Sequence, residues 1–194
     1  MNLEHRYLFT GLWFCWAAYW LVTAFGTKTT VRHESLWSRV THIGPLFVAF
    51  LLLSLPRVPI PPLEQRFLPG SAGWFWLGAA VTAAGLLFTV WARVHLGRNW
   101  SGTVTIKEQH ELITSGPYSL VRHPIYTGLL LAFTGSAVAL GEWRGLVAML
   151  IAVPALWWKL SLEESWLQQE FGEVYAAYRR RVAALIPGLP GSRH

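Results

Sequence analysis

Charge is what this 194-residue chain has least of. Asp, Glu, Lys and Arg together make up 13% of it, about half the usual share for a soluble domain, while 53% of residues are hydrophobic. That balance excludes a water-soluble globule and points to a chain whose solvent is lipid. A single cysteine, Cys15, excludes any intrachain disulfide or cysteine-based metal site, and inside an apolar run it reads as a small buried hydrophobe. A G-x-G-x-x-G loop is also missing, which excludes a Rossmann-type nucleotide site. The formal net charge of +6 reads as membrane topology and lipid attraction, so no nucleic-acid partner is expected.

What is present is a series of uncharged windows. A bilayer core needs roughly 20 apolar residues in a helix. On that measure the sequence predicts an all-α, polytopic membrane helix bundle in one domain, with spans at about 7–27, 40–56, 72–92, 124–141 and 143–160. A cytosolic loop, 97–123, and a C-terminal cytosolic helix and tail, 161–194, complete it. The leader Met1 to Arg6 carries no net formal charge and no cleavage pattern follows, so the first window reads as an anchor. Of the 16 Lys and Arg residues, all but Arg6, Arg57, Arg66 and Arg144 fall on the side that holds the loop and the tail. That bias places the C-terminus in the cytosol, in what reads as a prokaryotic inner membrane. Trp37, Trp74, Trp76, Trp143, Trp157 and Trp158 sit near span ends, where amphipathic rings prefer to lie. Pro56 to Pro62 reads as a stiff external linker.

The polar residues with chemical potential gather in two places. Loop 97–123 is long for a compact membrane protein, and Pro124 at the first turn of a helix puts Arg122, His123 and Tyr126 at the cytosolic membrane surface. Beyond the fifth span come Lys159, Glu163 and Glu164. Leu162, Trp166, Val174 and Tyr178 form an apolar stripe that would hold this helix against the bundle or membrane, and Gly172 weakens its middle. Spans four and five are joined by only Gly141 to Arg144, so they form a hairpin, and His123 and Glu163 can face one cavity. Arg179, Arg180 and Arg181 read as a headgroup anchor. His5, His33, His42, His95 and His194 show no metal-ligand spacing, and no metal site is expected.

In this order and spacing, His110-Glu-Leu-Ile-Thr-Ser-Gly-Pro-Tyr118, Arg122-His-Pro-Ile-Tyr126 with Gly128, Glu163-Glu164, Glu170-Phe-Gly-Glu-Val-Tyr175 and Tyr178-Arg-Arg-Arg-Val182 with Pro187 resemble the isoprenylcysteine carboxyl methyltransferase family and its prokaryotic members. The resemblance covers Trp100 to Pro187. It implies an integral-membrane enzyme that uses S-adenosylmethionine, yields S-adenosylhomocysteine and draws a lipophilic or prenylated acceptor from the membrane lipids. It further implies cofactor contacts at His110, Leu112, Ile113, Tyr118, His123, Pro124, Tyr126 and Glu163, to which the motif neighbours Glu111 and Glu164 are added. Where relatives have an arginine for the substrate carboxylate, this chain has Lys159, which keeps the charge and loses the bidentate grip. Lys159 or Arg122 would hold the anionic acceptor, and Glu163 would suit the cofactor's ammonium or ribose hydroxyls. Two other readings are a membrane NADPH-dependent sterol-type or enone reductase and a non-catalytic membrane scaffold.

Overall fold

A computed structural model of the chain describes residues 3–24, 30–33, 35–97, 100, 105–107 and 112–188. It is an all-α membrane helix bundle: α1 (Leu3–Thr23), α2 (Leu36–Ser54), the short α3 (Pro61–Glu64), α4 (Ala72–Leu96), α5 (Pro124–Leu140) and α6 (Trp143–Arg181). Two short strands, β1 (Thr30–His33) and β2 (Thr105–Lys107), pair antiparallel with Thr30 opposite Lys107 and His33 opposite Thr105. The first and third connections are therefore stitched together at one face. At the other face the second connection meets the fourth, where Phe67 N–H and Leu68 N–H both donate to the Gly141 carbonyl.

Each expected span has a helix, with shifted ends. α1 stops at Thr23, short of 27; α2 starts at Leu36 because Ser35 caps it, its hydroxyl accepting from Ser38 N–H at 3.2 Å; α4 runs on to Leu96 before Gly97 ends it. Length and composition alone make α2, α4 and α6 long and apolar enough to cross a membrane, and α5 is a shorter apolar helix of 17 residues. The six tryptophans expected near span ends are all exposed on the protein surface.

The tightest seam lies between α4 and α5. Gly78 and Gly85 on one helix face Gly135 and Gly128 on the other. A Cβ added at Gly78 would come within 2.4 Å of the Gly135 carbonyl oxygen, and one at Gly85 within 2.5 Å of the Gly128 carbonyl oxygen. Lipid tails supply no hydrophobic drive between helices, so this contact rests on dispersion and hydrogen bonds that only close backbones can make. Thr82 Oγ1 adds contacts to the Ala132 carbonyl and Ser136 Oγ, both at 3.3 Å. α1 joins through Trp13, whose indole donates to Ser136, and Trp16, whose indole donates to Thr89 at 2.7 Å. A core of Trp13, Leu86, Ala132, Phe133, Ala148 and Ala152 forms where the helices meet.

Two expectations are corrected. Cys15 is exposed, because it falls on the face of α1 turned away from the bundle. The stripe expected for the last helix also breaks. Trp166 and Tyr178 are buried, but Val174 is 66% exposed and Tyr175 takes the inward position. The cause is Gly172, whose φ of 50° and ψ of −125° interrupt α6 and reset the helical phase beyond it.

Candidate active site

Arg122 and His123 stand at the entrance of α5. His123 is the N-cap and Pro124 the first helical residue, so the missing proline N–H leaves no donor unsatisfied. The two residues are held from outside the helix: Arg122 N–H donates to the Ala183 carbonyl at 2.8 Å and His123 N–H to the Ala184 carbonyl at 3.0 Å. The chain leaving α6 thus pairs with the chain entering α5.

α6 brings the carboxylates. Its apolar stretch ends at Trp158, and the next two turns carry Lys159, Glu163 and Glu164. The Tyr126 hydroxyl donates to Glu163 Oε1 at 2.6 Å, and His123 Nδ1 lies 3.4 Å from Glu163 Oε2. On the other edge of the ring, His123 Nε2 is 3.3 Å from Glu164 Oε1. The imidazole lies parallel to the Tyr126 ring, centroids 5.4 Å apart with an interplanar angle of 4°, and Lys159 Nζ sits 5.3 Å from the centre of that same phenol. Arg122 donates to Glu164 Oε1 from Nε at 2.7 Å.

The electrostatics follow from this crowding. Burial disfavours the charged imidazolium of His123, but hydrogen bonds and charge from Glu163 and Glu164 outweigh it and raise its pKa above the ordinary value. Burial likewise opposes ionisation of Glu164, yet His123 and Arg122 hold it ionised with a pKa of about 2. Glu163 is lowered against its own burial by His123, Lys159 and Tyr126. Burial, then the charge of Glu163 and the neighbouring Tyr178, push Tyr118 far up, so its phenol stays neutral. The site is a buried His between two carboxylates, with a cation on each flank.

Of the expected residues, Arg122, His123, Tyr126, Lys159, Glu163 and Glu164 come together, and buried Pro124 sets the helix start. Tyr118 stands behind them in the 3-10 turn Gly116–Ser119, its carbonyl accepting from the Tyr178 hydroxyl at 2.5 Å. Leu112 and Ile113 are half-buried on the approach to that turn. His110 and Glu111 lie outside the described residues. The Arg122 side chain, expected as one of two candidates to hold the acceptor's anion, is 2% exposed and turned toward Glu164 and the carbonyls of Arg179 and Val182.

His95 carries a contact that its sequence position did not announce. From the last turn of α4 its ring stacks against Tyr118, with centroids 6.4 Å apart, and bonds Ser115 Oγ at 2.9 Å. A Cβ at Gly116 would strike that ring at 2.7 Å, so glycine there is what lets the imidazole lie flat on the turn. Its only signal was a polar residue at the last turn of an apolar helix.

A polytopic bundle with a buried cluster of polar and ionic side chains where α5 begins defines an integral-membrane protein of enzymatic type, and comparison with known proteins supplies the chemistry. The family model described as phospholipid methyltransferase matches residues 74–174, which run from α4 through the site into α6. The chain belongs to this family and is a membrane methyltransferase. It is similar to protein-S-isoprenylcysteine O-methyltransferase B of Arabidopsis thaliana, 30% identical over 134 residues, which cover 64% of this chain and 66% of that one. A probable protein-S-isoprenylcysteine O-methyltransferase of Oryza sativa subsp. indica is 29% identical over 87% of both chains. The cobalt-zinc-cadmium resistance protein CzcN of Cupriavidus metallidurans is 33% identical over 69% of this chain and 62% of its own.

Proposed function

We propose that the chain transfers a methyl group from S-adenosylmethionine to a lipophilic acceptor, the carboxylate of an isoprenylcysteine-like or other lipid-linked molecule. Five helices, α1, α2, α4, α5 and α6, would cross the inner membrane, with the site on the cytosolic side where the Lys and Arg excess lies. The observation that carries the reading is Glu163, its side chain 25% exposed and its carboxylate braced by Tyr126 and His123 with Lys159 alongside.

The donor set suits such a cofactor. A braced carboxylate matches an ammonium or a pair of ribose hydroxyls, and the parallel rings of His123 and Tyr126 offer flat faces to an adenine or a sulfonium. Leu112, Ile113, Tyr118 and Pro124 would wall the pocket, with His110 and Glu111 contributing from the loop. When bound, the cofactor supplies an electrophilic methyl on a positively charged sulfur. The protein's share is positioning and exclusion of water, which can lower a barrier by roughly 7–11 kcal/mol when two reactants are aligned. A carboxylate acceptor is already ionised at neutral pH, so no general base is required. Lys159, at the membrane end of the cluster, would hold that carboxylate as a point charge. Its similarity to isoprenylcysteine O-methyltransferases supports a prenylated acceptor.

The test is calorimetric titration of the detergent-purified protein with S-adenosylhomocysteine and, separately, NADPH, followed by Glu163→Ala and His123→Ala. Binding of the first ligand alone, abolished in both variants, supports the assignment. Binding of NADPH alone would favour the reductase reading, and binding of neither the scaffold.

A further inference from the structure

Glu163 and Glu164 are neighbours in sequence, yet their carboxylates serve different parts of the molecule. Glu163 turns to Tyr126 and the Nδ1 edge of His123 and stays partly exposed. Glu164, with its side chain 10% exposed, turns to Arg122, to the Nε2 edge of His123 and to Arg179, whose Nε lies 3.6 Å from Oε2. Arg122 is committed just as fully. Nε and Nη2 reach Glu164 at 2.7 and 2.5 Å, while Nη1 donates to the carbonyls of Val182 and, at 3.2 Å, Arg179.

One guanidinium therefore ties α6 before the Gly172 break to the end of α6 after it. The backbone repeats the tie, since Arg122 and His123 donate to Ala183 and Ala184, and Thr127 Oγ1 donates to the Leu185 carbonyl at 2.7 Å. His123 needs this support. As N-cap it makes no side-chain capping bond, so nothing within α5 fixes its ring beyond stacking on Tyr126. A buried ion pair is poor evidence of stability, because well-packed apolar residues often do as well; what it contributes here is a defined geometry.

Building on the cofactor reading above, we propose that Arg122 and Glu164 are positioning residues: together they latch segment 182–185 onto the entrance of α5 and set the His123 ring for the methyl donor, touching neither donor nor acceptor themselves. Arg122 is accordingly no anchor for the acceptor's anion, a role left to Lys159, and Glu164 is no cofactor ligand.

Two measurements on the full-length protein in detergent test this. Hydrogen exchange followed by mass spectrometry reads the Arg122 and His123 amides, the donors of the latch, in the wild type and in Glu164→Gln, Arg122→Lys and Thr127→Val. Faster exchange there in all three, with α4 unchanged as a control for folding, is the expected result. Steady-state kinetics with S-adenosylmethionine and a farnesylated N-acetylcysteine then separate the two substrates. Losing a charge-assisted hydrogen bond should raise the donor KM by about tenfold in Glu164→Gln and Arg122→Lys, while the acceptor KM stays within about twofold. Thr127→Val, which keeps the ion pair, should show a smaller change in the same direction. Unaltered exchange at Arg122 and His123, or an acceptor KM that rises as much as the donor KM, would overturn the latch. If the wild type itself binds no donor, the cofactor reading falls, and the exchange measurement still decides whether the latch exists.

Discussion

The Tyr126 hydroxyl reaches Glu163 across 37 residues of sequence and closes a 2.6 Å hydrogen bond between α5 and α6. The phenol gives the carboxylate a fixed direction while leaving part of it open. Replacing Tyr126 with Phe removes that bond and keeps the ring that stacks on His123. A hydrogen bond to a charged group contributes about 1.5–3 kcal/mol, so S-adenosylhomocysteine affinity should fall by roughly tenfold to a hundredfold, and the melting temperature should fall as well because the bond also joins α5 to α6. Calorimetry on the purified variant checks it; undiminished affinity would detach Tyr126 from the site.

The α4–α5 seam gives a prediction about stability alone. Gly135→Ala places a methyl 2.4 Å from the backbone nitrogen of Thr82, an atom that cannot swing aside. The helices must separate, at a cost of about 1–3 kcal/mol or more. Gly11→Ala, with nothing within 4 Å, should be neutral or slightly stabilising, because alanine is the better helix former. Thermal unfolding in one detergent compares the two, and equal melting temperatures would contradict the close packing.

Stability should also depend on pH with a defined sign. His123 has its pKa raised in the fold, so its contribution is complete below its ordinary value of 6.5 and disappears as pH climbs through the raised one. Glu164 works in reverse: its contribution holds above its ordinary value of 4.5 and is lost as pH falls toward about 2. The site's ionic contribution is therefore greatest between these ordinary values. Melting temperatures across a pH series should decline on the alkaline side, and His123→Asn should flatten that limb. An unchanged alkaline limb in the variant would assign the decline to other groups.

Gly172 combines a φ of 50° with a ψ of −125°, a pairing that an L-residue adopts only at a cost on the order of 1–3 kcal/mol. Gly172→Ala has open space for its methyl, so any loss must come from the backbone. The straightened helix would pull Tyr175 and Tyr178 from their buried places. The measurement is hydrogen exchange over 173–181, which should quicken while 143–160 stays protected.

Much of the bundle was legible because each apolar window is bounded by charge or by Gly and Pro. Ser35 and Gly97, which set two helix ends, are local signals that hydropathy windows blur. The convergence of His123 with Glu163 followed from the short Gly141 hairpin, a topological constraint that needs no coordinates. The direction of each side chain was not legible. Whether Arg122 faces a ligand or the protein depends on where 182–185 return, and that return hinges on one positive φ at Gly172, beyond which helical periodicity no longer predicts a face. The seven-residue spacing shared by Gly78 and Gly85 with Gly128 and Gly135 was present in the sequence. That spacing alone does not say which helix each pair faces, since any membrane helix carries such glycines.

The glycine contact between α4 and α5 also closes a door: where Gly78 and Gly85 meet Gly135 and Gly128 backbone against backbone, the groove leaves no width for an acyl or prenyl tail, so any lateral way into the bundle lies elsewhere.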